Sequence, residues 1–290
     1  MLPQRINRIV VRLVSTLVLL IPTHGVFAVT HTVGTAALIK TTLQQTMEAG
    51  DTVIIANGQY NVGGIKITHS GTATAPIVIM AETPLQVTLT NTSYLTLQDV
   101  AYIEIRGIHF DLSPVSTIVK LQGASNVRIT RCRFNMQKTS DTQTSKWILI
   151  GDTWNNDVST SHHNRIDHCL FDGKTDGGPW VVIDGAHGTP DISKYDRIDH
   201  NHFRNNTPRV DNEKETIRMG VSDLTMCSAH TTVEYNLFED CDGDPEIVSV
   251  KSCDNTVRYN TFLHSLGTVC LRQGRRNSVI GNYFFGDGKT

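Results

Sequence analysis

A six-residue pattern recurs along the chain and constrains the fold more than any other feature of the sequence. Each copy has an apolar residue, two variable residues, Asn or Cys, one variable residue and Phe. The six copies are Ile129–Phe134 (ITRCRF), Ile166–Phe171 (IDHCLF), Ile198–Phe203 (IDHNHF), Val233–Phe238 (VEYNLF), Val257–Phe262 (VRYNTF) and Val279–Phe284 (VIGNYF), and a looser one is Ile105–Phe110 (IRGIHF).

The first residues of successive copies are 24, 37, 32, 35, 24 and 22 positions apart. This spacing indicates a basic period of 22 to 24 residues with insertions in three repeats. No copy can bury its apolar residues alone, so stacked copies must share a core. The segments alternate rather than follow a helical period, and they lack the signature of leucine-rich repeats. The pattern therefore predicts an all-β fold, a right-handed parallel β-helix.

The Asn or Cys position of the pattern has its own structural meaning. One inward Asn per coil can form a ladder, in which each amide bonds to its neighbours and the buried polar groups are satisfied. Cys132 and Cys169 occupy this position, which favours small buried apolar residues over disulfide partners, although six Cys in an exported chain make disulfides possible.

Ala36–Glu48 is the one convincing amphipathic stretch, with Leu38, Thr42, Leu43 and Met47 near one face. A short helix here would cover the open end of the first coil, where strand edges are otherwise exposed. We therefore expect an N-terminal capping helix and find no sequence signal for a second domain.

The N-terminus has the pattern of a secretory signal peptide. Arg5, Arg8 and Arg12 precede the apolar run 13–21, and small residues near Ala28 provide a cleavage site. We expect residues 1–28 to be removed, residues 29–290 to form the β-helix domain, and the protein to be secreted or periplasmic without a membrane anchor.

Charge limits the classes of function. Removal of the three Arg of residues 1–28 takes the net charge from −2 to −5. A mildly acidic protein is not a general binder of polyanions, which argues against nucleic acid as a partner. A polyanion would need a local basic site.

Two acids form the first candidate site. Asp244 and Glu246 are two positions apart, so on an extended segment both carboxylates project from one side. Such a pair repels unless a cation relieves it, and hard oxygen ligands suit calcium. Asn212 lies 32 residues before Asp244, about one expanded coil, and could add an amide oxygen. Solvent-exposed turn acids remain the alternative interpretation.

Two cationic residues form the second candidate site. Lys251 and Arg272 are 21 residues apart, close to one coil, so we expect neighbours on adjacent strands roughly 5 Å apart. Lys251 follows Glu246 by five positions, so a bend is needed to bring both to one side of the strand. Exposed Lys and Arg are common, and the spacing alone also fits a solvated surface.

At these residues the sequence resembles polysaccharide lyase family 6, which contains chondroitinase B and many alginate lyases. The segments that carry the resemblance are Glu215–Gly220 (ETIRMG), Asn236–Gly243 (NLFEDCDG), Glu246–Ser252 (EIVSVKS), Asn260–Phe262 (NTF) and Leu271–Gly274 (LRQG). Two positions depart from the family pattern: Asp244 stands where Glu is usual, and Gln273 where His commonly follows the catalytic Arg.

The resemblance implies an acidic polysaccharide as substrate and cleavage of a uronic-acid linkage by β-elimination. It implies Lys251 as the Brønsted base and Arg272 as the acid. It also implies Asn212, Asp244 and Glu246 as ligands of Ca²⁺, with Arg218 near the bound uronate. A bound cation would stabilise the charge that develops when the C5 proton leaves.

Two other functions compete with the lyase. A β-helix glycoside hydrolase for pectin-like chains would use two or three carboxylates without a Lys–Arg pair. A non-catalytic adhesin or glycan-binding module would share the fold without the chemistry. Alginate is our first choice of substrate, and dermatan sulfate or chondroitin the second.

The C-terminal end raises one more expectation. The last repeat, Val279–Phe284, resembles an interior copy, and only six residues follow it. Solenoids need a cap because an open end exposes strand edges and apolar core. We therefore expect a β-helix that is incomplete at its C-terminus.

Overall fold

The computed structural model describes residues 28–45, 47–136, 144–151, 161–186, 191–286 and 288. Residues 1–27 of the expected signal peptide lie outside these ranges. Within them, one α-helix and one short 3₁₀ helix accompany a chain that is otherwise strands and turns. The α-helix, α1, spans Ala36–Gln45, and the 3₁₀ helix spans Ser222–Leu224. No described helix has the length and apolar character needed to cross a membrane.

The strands form three long parallel sheets and one antiparallel hairpin. Sheet 1 has ten strands: β1 Thr30–Val33, β2 Thr52–Ile55, β5 Ile77–Ala81, β8 Ile103–Arg106, β11 Arg128–Thr130, β14 Arg165–Asp167, β19 Arg197–Asp199, β22 Thr232–Glu234, β25 Thr256–Arg258 and β28 Ser278–Ile280. Sheet 2 has nine: β3 Gly58–Tyr60, β6 Val87–Asn91, β9 Ile108–Leu112, β12 Arg133–Met136, β15 Leu170–Lys174, β20 His202–Asn206, β23 Leu237–Cys241, β26 Thr261–Leu263 and β29 Tyr283–Phe285. Sheet 3 has eight: β4 Gly64–Ile67, β7 Tyr94–Gln98, β10 Thr117–Gln122, β13 Lys146–Ile150, β16 Val181–Ile183, β21 Ile217–Met219, β24 Glu246–Val250 and β27 Thr268–Leu271. The hairpin pairs β17 Gly185–Ala186 with β18 Asp191–Ile192.

Each complete coil contributes one strand to each sheet in the order 1, 2, 3, and the next coil stacks on it in parallel; in the described part of the chain the first coil contributes β1 alone and the last β28 and β29. The repeat pattern sets this register, because Ile129 pairs with Ile105 on one side and with Ile166 on the other. The predicted parallel β-helix is confirmed.

Aromatic and amide side chains fill the interior in two continuous ladders. The Phe of the repeats stack face to face along the axis, with ring centroids of Phe110 and Phe134 4.8 Å apart. The amide ladder follows from the Asn position: Asn201 donates from its backbone N–H and Nδ2 to Asn236 Oδ1 at 2.9 and 3.0 Å. Cys132 and Cys169 occupy the same position and are buried. All six Cys are free thiols, five of them buried.

A second polar row runs along the connection into sheet 1, two residues before each repeat. Asn164 donates from its backbone N–H and Nδ2 to Asp196 Oδ1 at 2.9 and 3.0 Å. Further along, Asn255 donates to Asn277 Oδ1 at 2.8 Å. The sequence did not reveal this row, because its residue type changes from coil to coil.

Helix α1 packs against β4 and β1 at the N-terminal end of the stack. Ile39, Thr42 and Leu43 are its buried residues. The prediction that Leu38 shares this face is wrong, since Leu38 is 53% exposed. The apolar stripe is centred on Ile39, one residue further along the helix.

At the other end of the stack, β27, β28 and β29 are the last strands of their sheets. Apolar side chains on these strands are exposed: Leu271, Ile280 and Phe284 are each about half exposed, although the Phe284 ring continues the interior stack over Phe262. The expectation of an incomplete domain stays a prediction.

Candidate functional site

Sheet 3 brings the two predicted catalytic cations together. Lys251 follows β24 and Arg272 follows β27, and these strands pair with Val250 opposite Leu271. The two cations therefore occupy equivalent positions on neighbouring strands. This confirms that the 21-residue spacing equals one coil at this place.

The bend that the sequence required between Glu246 and Lys251 is present in β24. The register of β24 against β27 shifts between Glu246 and Val248, an irregularity of the β-bulge type. Glu246 thereby reaches the cations, and Arg272 Nη1 donates to Glu246 Oε1.

Glu215, which sequence reasoning gave no role, is the ionic partner of Lys251. Lys251 Nζ lies 3.1 Å from Glu215 Oε1, and the side chains are 12% and 0% exposed. Arg218 Nη1 lies 3.9 Å from Glu215 Oε2. This carboxylate contacts two cations at the start of β21. An expanded coil separates Glu215 from Lys251, so spacing alone could not pair them.

The two predicted acidic ligands differ in environment. Burial raises the pKa of Asp244, and the carboxylates of Glu215 and Glu246 add to the effect against two backbone hydrogen bonds. Burial alone would also raise the pKa of Glu246, but hydrogen bonds from Ser249 and Arg272 hold it below its usual value. Asp244 is thus poorly compensated by cations, whereas Glu246 has a cationic partner.

The donor atoms suit a hard cation such as calcium, which binds carboxylate and amide oxygens. Asp244 Oδ1 accepts the backbone N–H of Glu246 at 2.8 Å, so both acids belong to one turn. Asn212 is exposed, and among the described residues no hydrogen bond joins its side chain to either acid. Two residues further on, the Lys214 N–H donates to Asp244 Oδ2 at 3.1 Å, so this segment runs beside the acids. The donor types of the three residues suit calcium and Asp244 and Glu246 share one turn, but the convergence of Asn212 with them and the role of all three stay predictions.

A second group of metal-ligating side chains lies at the end of sheet 2. Glu239, Asp240 and His264 place their ligand atoms within 4.8 Å of one another. This group belongs to a different sheet from the Lys251 site and provides an internal control for metal binding.

A groove of about 840 Å³ extends along sheet 3 towards the N-terminal coils from Arg218, which Glu215 links to Lys251. Its lining includes Arg218 at one end, Lys146 and Lys120 in the middle and Tyr94 at the far end. Sequence reasoning missed both lysines: Lys146 lies in a coil with inserted residues that obscure its register, and Lys120 belongs to no motif. Trp180 is fully buried and belongs to the core.

Comparisons with known proteins agree with this geometry. The family model for chondroitinase B matches residues 35–290. A search of curated proteins found no match. Among solved structures, a mannuronic-acid-specific family 6 lyase from the human gut microbiota has a TM-score of 0.79 at 29% identity, covering 89% of this chain and 59% of its own. The family 6 alginate lyase AlyGC has a TM-score of 0.78 at 29% identity, covering 89% and 35%.

The family 6 lyase Pedsa3628 of Pseudopedobacter saltans, at 22% identity and a TM-score of 0.76, shares the fold over 90% of this chain and 58% of its own. The present chain therefore spans about a third to three fifths of the length of these relatives. The family match over residues 35–290, with the fold and the sheet 3 site in agreement, shows that the chain belongs to the chondroitinase B family, polysaccharide lyase family 6.

Proposed function

We propose that this protein cleaves a polyuronate by β-elimination, with Lys251 as the base and Arg272 as the acid. The observation that carries the proposal is the adjacency of Lys251 and Arg272 on paired strands at the end of a groove that also contains Arg218. A uronate chain in this groove would present its carboxylates to cations and its C5–H to the amine of Lys251.

The reaction balances with these two residues. The neutral amine of Lys251 takes the C5 proton, which is α to the uronate carboxylate. The electron pair forms the C4=C5 double bond, the C4–O bond breaks, and the leaving oxygen takes a proton. Arg272 donates this proton directly or orients the water that donates it. Its ion pair with Glu246 raises the pKa of Arg272, which favours the route through water.

Asn212, Asp244 and Glu246 would hold calcium, as the family resemblance implies. When bound, the ion neutralises the uronate carboxylate and so makes the C5 proton more acidic. Arg218, 9% exposed, has a buried Nε without a hydrogen-bond partner among the described residues and can donate to the same carboxylate. Glu215 positions Lys251 and Arg218 relative to each other, and its hold on Lys251 must loosen before proton transfer.

Alginate is the first choice of substrate, and its mannuronate blocks in particular. Relatives described as a mannuronic-acid-specific lyase and as an alginate lyase support it. Dermatan sulfate or chondroitin is the second choice, supported by the matching family model. We propose that the protein acts outside the cytoplasm, on the basis of the signal-peptide pattern before Ala28.

A substrate panel tests the proposal. Purified protein with calcium is incubated with polymannuronate, polyguluronate, dermatan sulfate and chondroitin, and with carboxyl-reduced polymannuronate as the neutral control. We expect ultraviolet absorbance from an unsaturated uronate product with at least one acidic polymer and none with the control. Release of new reducing ends without this absorbance would indicate a hydrolase, and binding without any cleavage would indicate a glycan-binding module.

A further inference from the structure

The middle of the sheet 3 groove contains two lysines that have no acidic partner. Lys120 on β10 and Lys146 on β13 are both half-buried and line the groove. Among the described residues, no carboxylate lies within ion-pair distance of either side chain. Most other cations on the β-helix surface are paired, as Arg165 is with Asp199 at 2.6 Å.

Desolvation makes this arrangement unfavourable in the protein alone. Burial lowers the pKa of Lys146, the charges of Arg218 and Lys120 add to the shift, and the carboxylates of Asp184 and Glu213 oppose it. Half-buried cations that repel one another cost stability unless an anion neutralises them.

The register places Lys120 and Arg218 on one line along the axis of the stack, with Lys146 to one side of that line, opposite Thr117. Lys120 pairs with Leu149, Leu149 with Val182, and Val182 with Arg218. Lys120 and Arg218 are therefore three strand spacings apart, roughly 14 Å. Lys146 projects from the start of β13, the strand that carries Leu149.

Between these cations the groove lining mixes the apolar side chains of Leu149 and Pro179 with hydroxyl groups such as that of Thr117, and it includes one acid, Glu213. Apolar patches beside hydroxyls and cations suit a chain of pyranose rings that bear one carboxylate each. The rings cover the apolar surface while the carboxylates accept charge-assisted hydrogen bonds from the amines.

We propose that Lys146 and Lys120 form two successive carboxylate-binding subsites beyond Arg218, which hold the part of a polyuronate that extends from the cleavage site towards the N-terminal coils. This assignment rests on the proposed function for the nature of its ligand. The groove is thus built for a charged oligomer, and a single uronate residue uses only part of it.

The test uses Lys120→Met, Lys146→Met and the double variant, because Met keeps the length and apolar stem of Lys and removes its charge. Lys40→Met, on the exposed face of α1 and outside the groove, is the matched control. Kinetics on polymannuronate and on mannuronate oligomers of increasing length give KM and kcat. Calorimetry with the same oligomers on a Lys251→Ala background gives affinity without turnover.

Loss of one charge-assisted hydrogen bond should raise KM about tenfold or more for each lysine, with kcat nearly unchanged. The wild-type affinity should grow with oligomer length, and each variant should lose the gain from the sugar that reaches its lysine. Thermal stability should stay equal or rise, because a repelled cation is removed.

The proposal is overturned if both variants bind long oligomers as the Lys40→Met protein does. It is equally overturned if they bind poorly only because their thermal stability collapses. Failure of the proposed lyase function would give a different result. The wild type would then make no unsaturated product from any polyuronate, yet oligomer binding would still depend on Lys120 and Lys146.

Discussion

Asp196 and Asp199 lie three positions apart around β19, and their surroundings shift their pKa values in opposite directions. Burial raises the pKa of Asp196 to about 6, against hydrogen bonds from Asn164, and its Oδ2 has no hydrogen-bond partner among the described residues. Burial acts in the same direction on Asp199, but hydrogen bonds from Arg165 and His200 leave its pKa below the usual value. Ionised Asp196 therefore destabilises the fold, whereas ionised Asp199 stabilises it.

Asp196→Asn should stabilise the protein at neutral pH. A raised folded-state pKa gives a stabilising contribution that is fully present below 3.8 and is lost as the pH rises through about 6. The amide avoids that loss, so its advantage over wild type should grow between pH 4 and 7, to on the order of 2 kcal/mol. Urea unfolding midpoints measured across this range give the result.

Asp199→Asn is the matched control, and its expected sign is opposite. Because the pKa of Asp199 is lower in the folded state, its ionised form stabilises the fold at pH values above its unfolded-state pKa. This stabilisation is lost as the pH falls through the folded-state pKa. The variant should therefore be less stable at pH 7 and approach wild type in acid. If Asp196→Asn differs from wild type by the same amount at every pH, burial of an ionised Asp196 is not the cause.

At the scale of elements, the inward Asn ladder holds successive coils at one spacing. Asn236 lies in the interior of the stack: its Nδ2 donates to Ile198 O at 2.9 Å, and its Oδ1 accepts from Asn201. Asn282 has the same bonds to the preceding coil but lies on the last one and is only half-buried.

Asn236→Ala should cost about 2–4 kcal/mol of unfolding free energy, because the amide groups of Asn201 and the carbonyl of Ile198 lose partners where water cannot replace them. Asn282→Ala should cost about 1 kcal/mol or less, since water reaches its neighbours. Chemical unfolding of the two variants side by side gives the comparison. Equal costs would show that the ladder contributes little beyond packing.

The sequence predicted this ladder and the Phe stack because both residue types recur at a fixed place in the repeat. The sequence did not predict the second polar row, because its equivalent positions carry three different side chains, those of Asn164, Asp196 and Thr231. The pairing of Lys251 with Arg272 was predictable from a coil without insertions. The pairing of Lys251 with Glu215 was not, since an insertion of unknown path lies between them.

At the scale of the whole molecule, sheet 3 carries cations from the groove to the proposed catalytic pair. Lys120, Lys146 and Arg218 lie along the groove, and Lys251 and Arg272 follow at its end. Stacked coils make this possible, because one position per coil becomes a continuous line along the axis. A polymeric substrate fits such a line, whereas the rest of the surface would repel it.

The metal proposal belongs to this scale, because two separate acidic groups compete for a cation. Asp244→Asn should weaken calcium binding at least tenfold in calorimetry and lower activity, since it removes a charged ligand. Asp240→Asn, in the Glu239–Asp240–His264 group, should leave both unchanged. Calcium binding that survives Asp244→Asn and disappears with Asp240→Asn would place the ion on sheet 2 instead.

The rate of unsaturated-product formation by Lys251→Ala is the most direct test of the central claim. The assay follows ultraviolet absorbance with polymannuronate and calcium, beside wild type and the exposed-lysine control Lys40→Ala. The account predicts a loss of about 10²–10⁴-fold for Lys251→Ala, with oligomer binding retained and the control unchanged, because a general base is removed from an intact groove. Turnover by Lys251→Ala at a rate close to wild type would contradict it and place the base elsewhere.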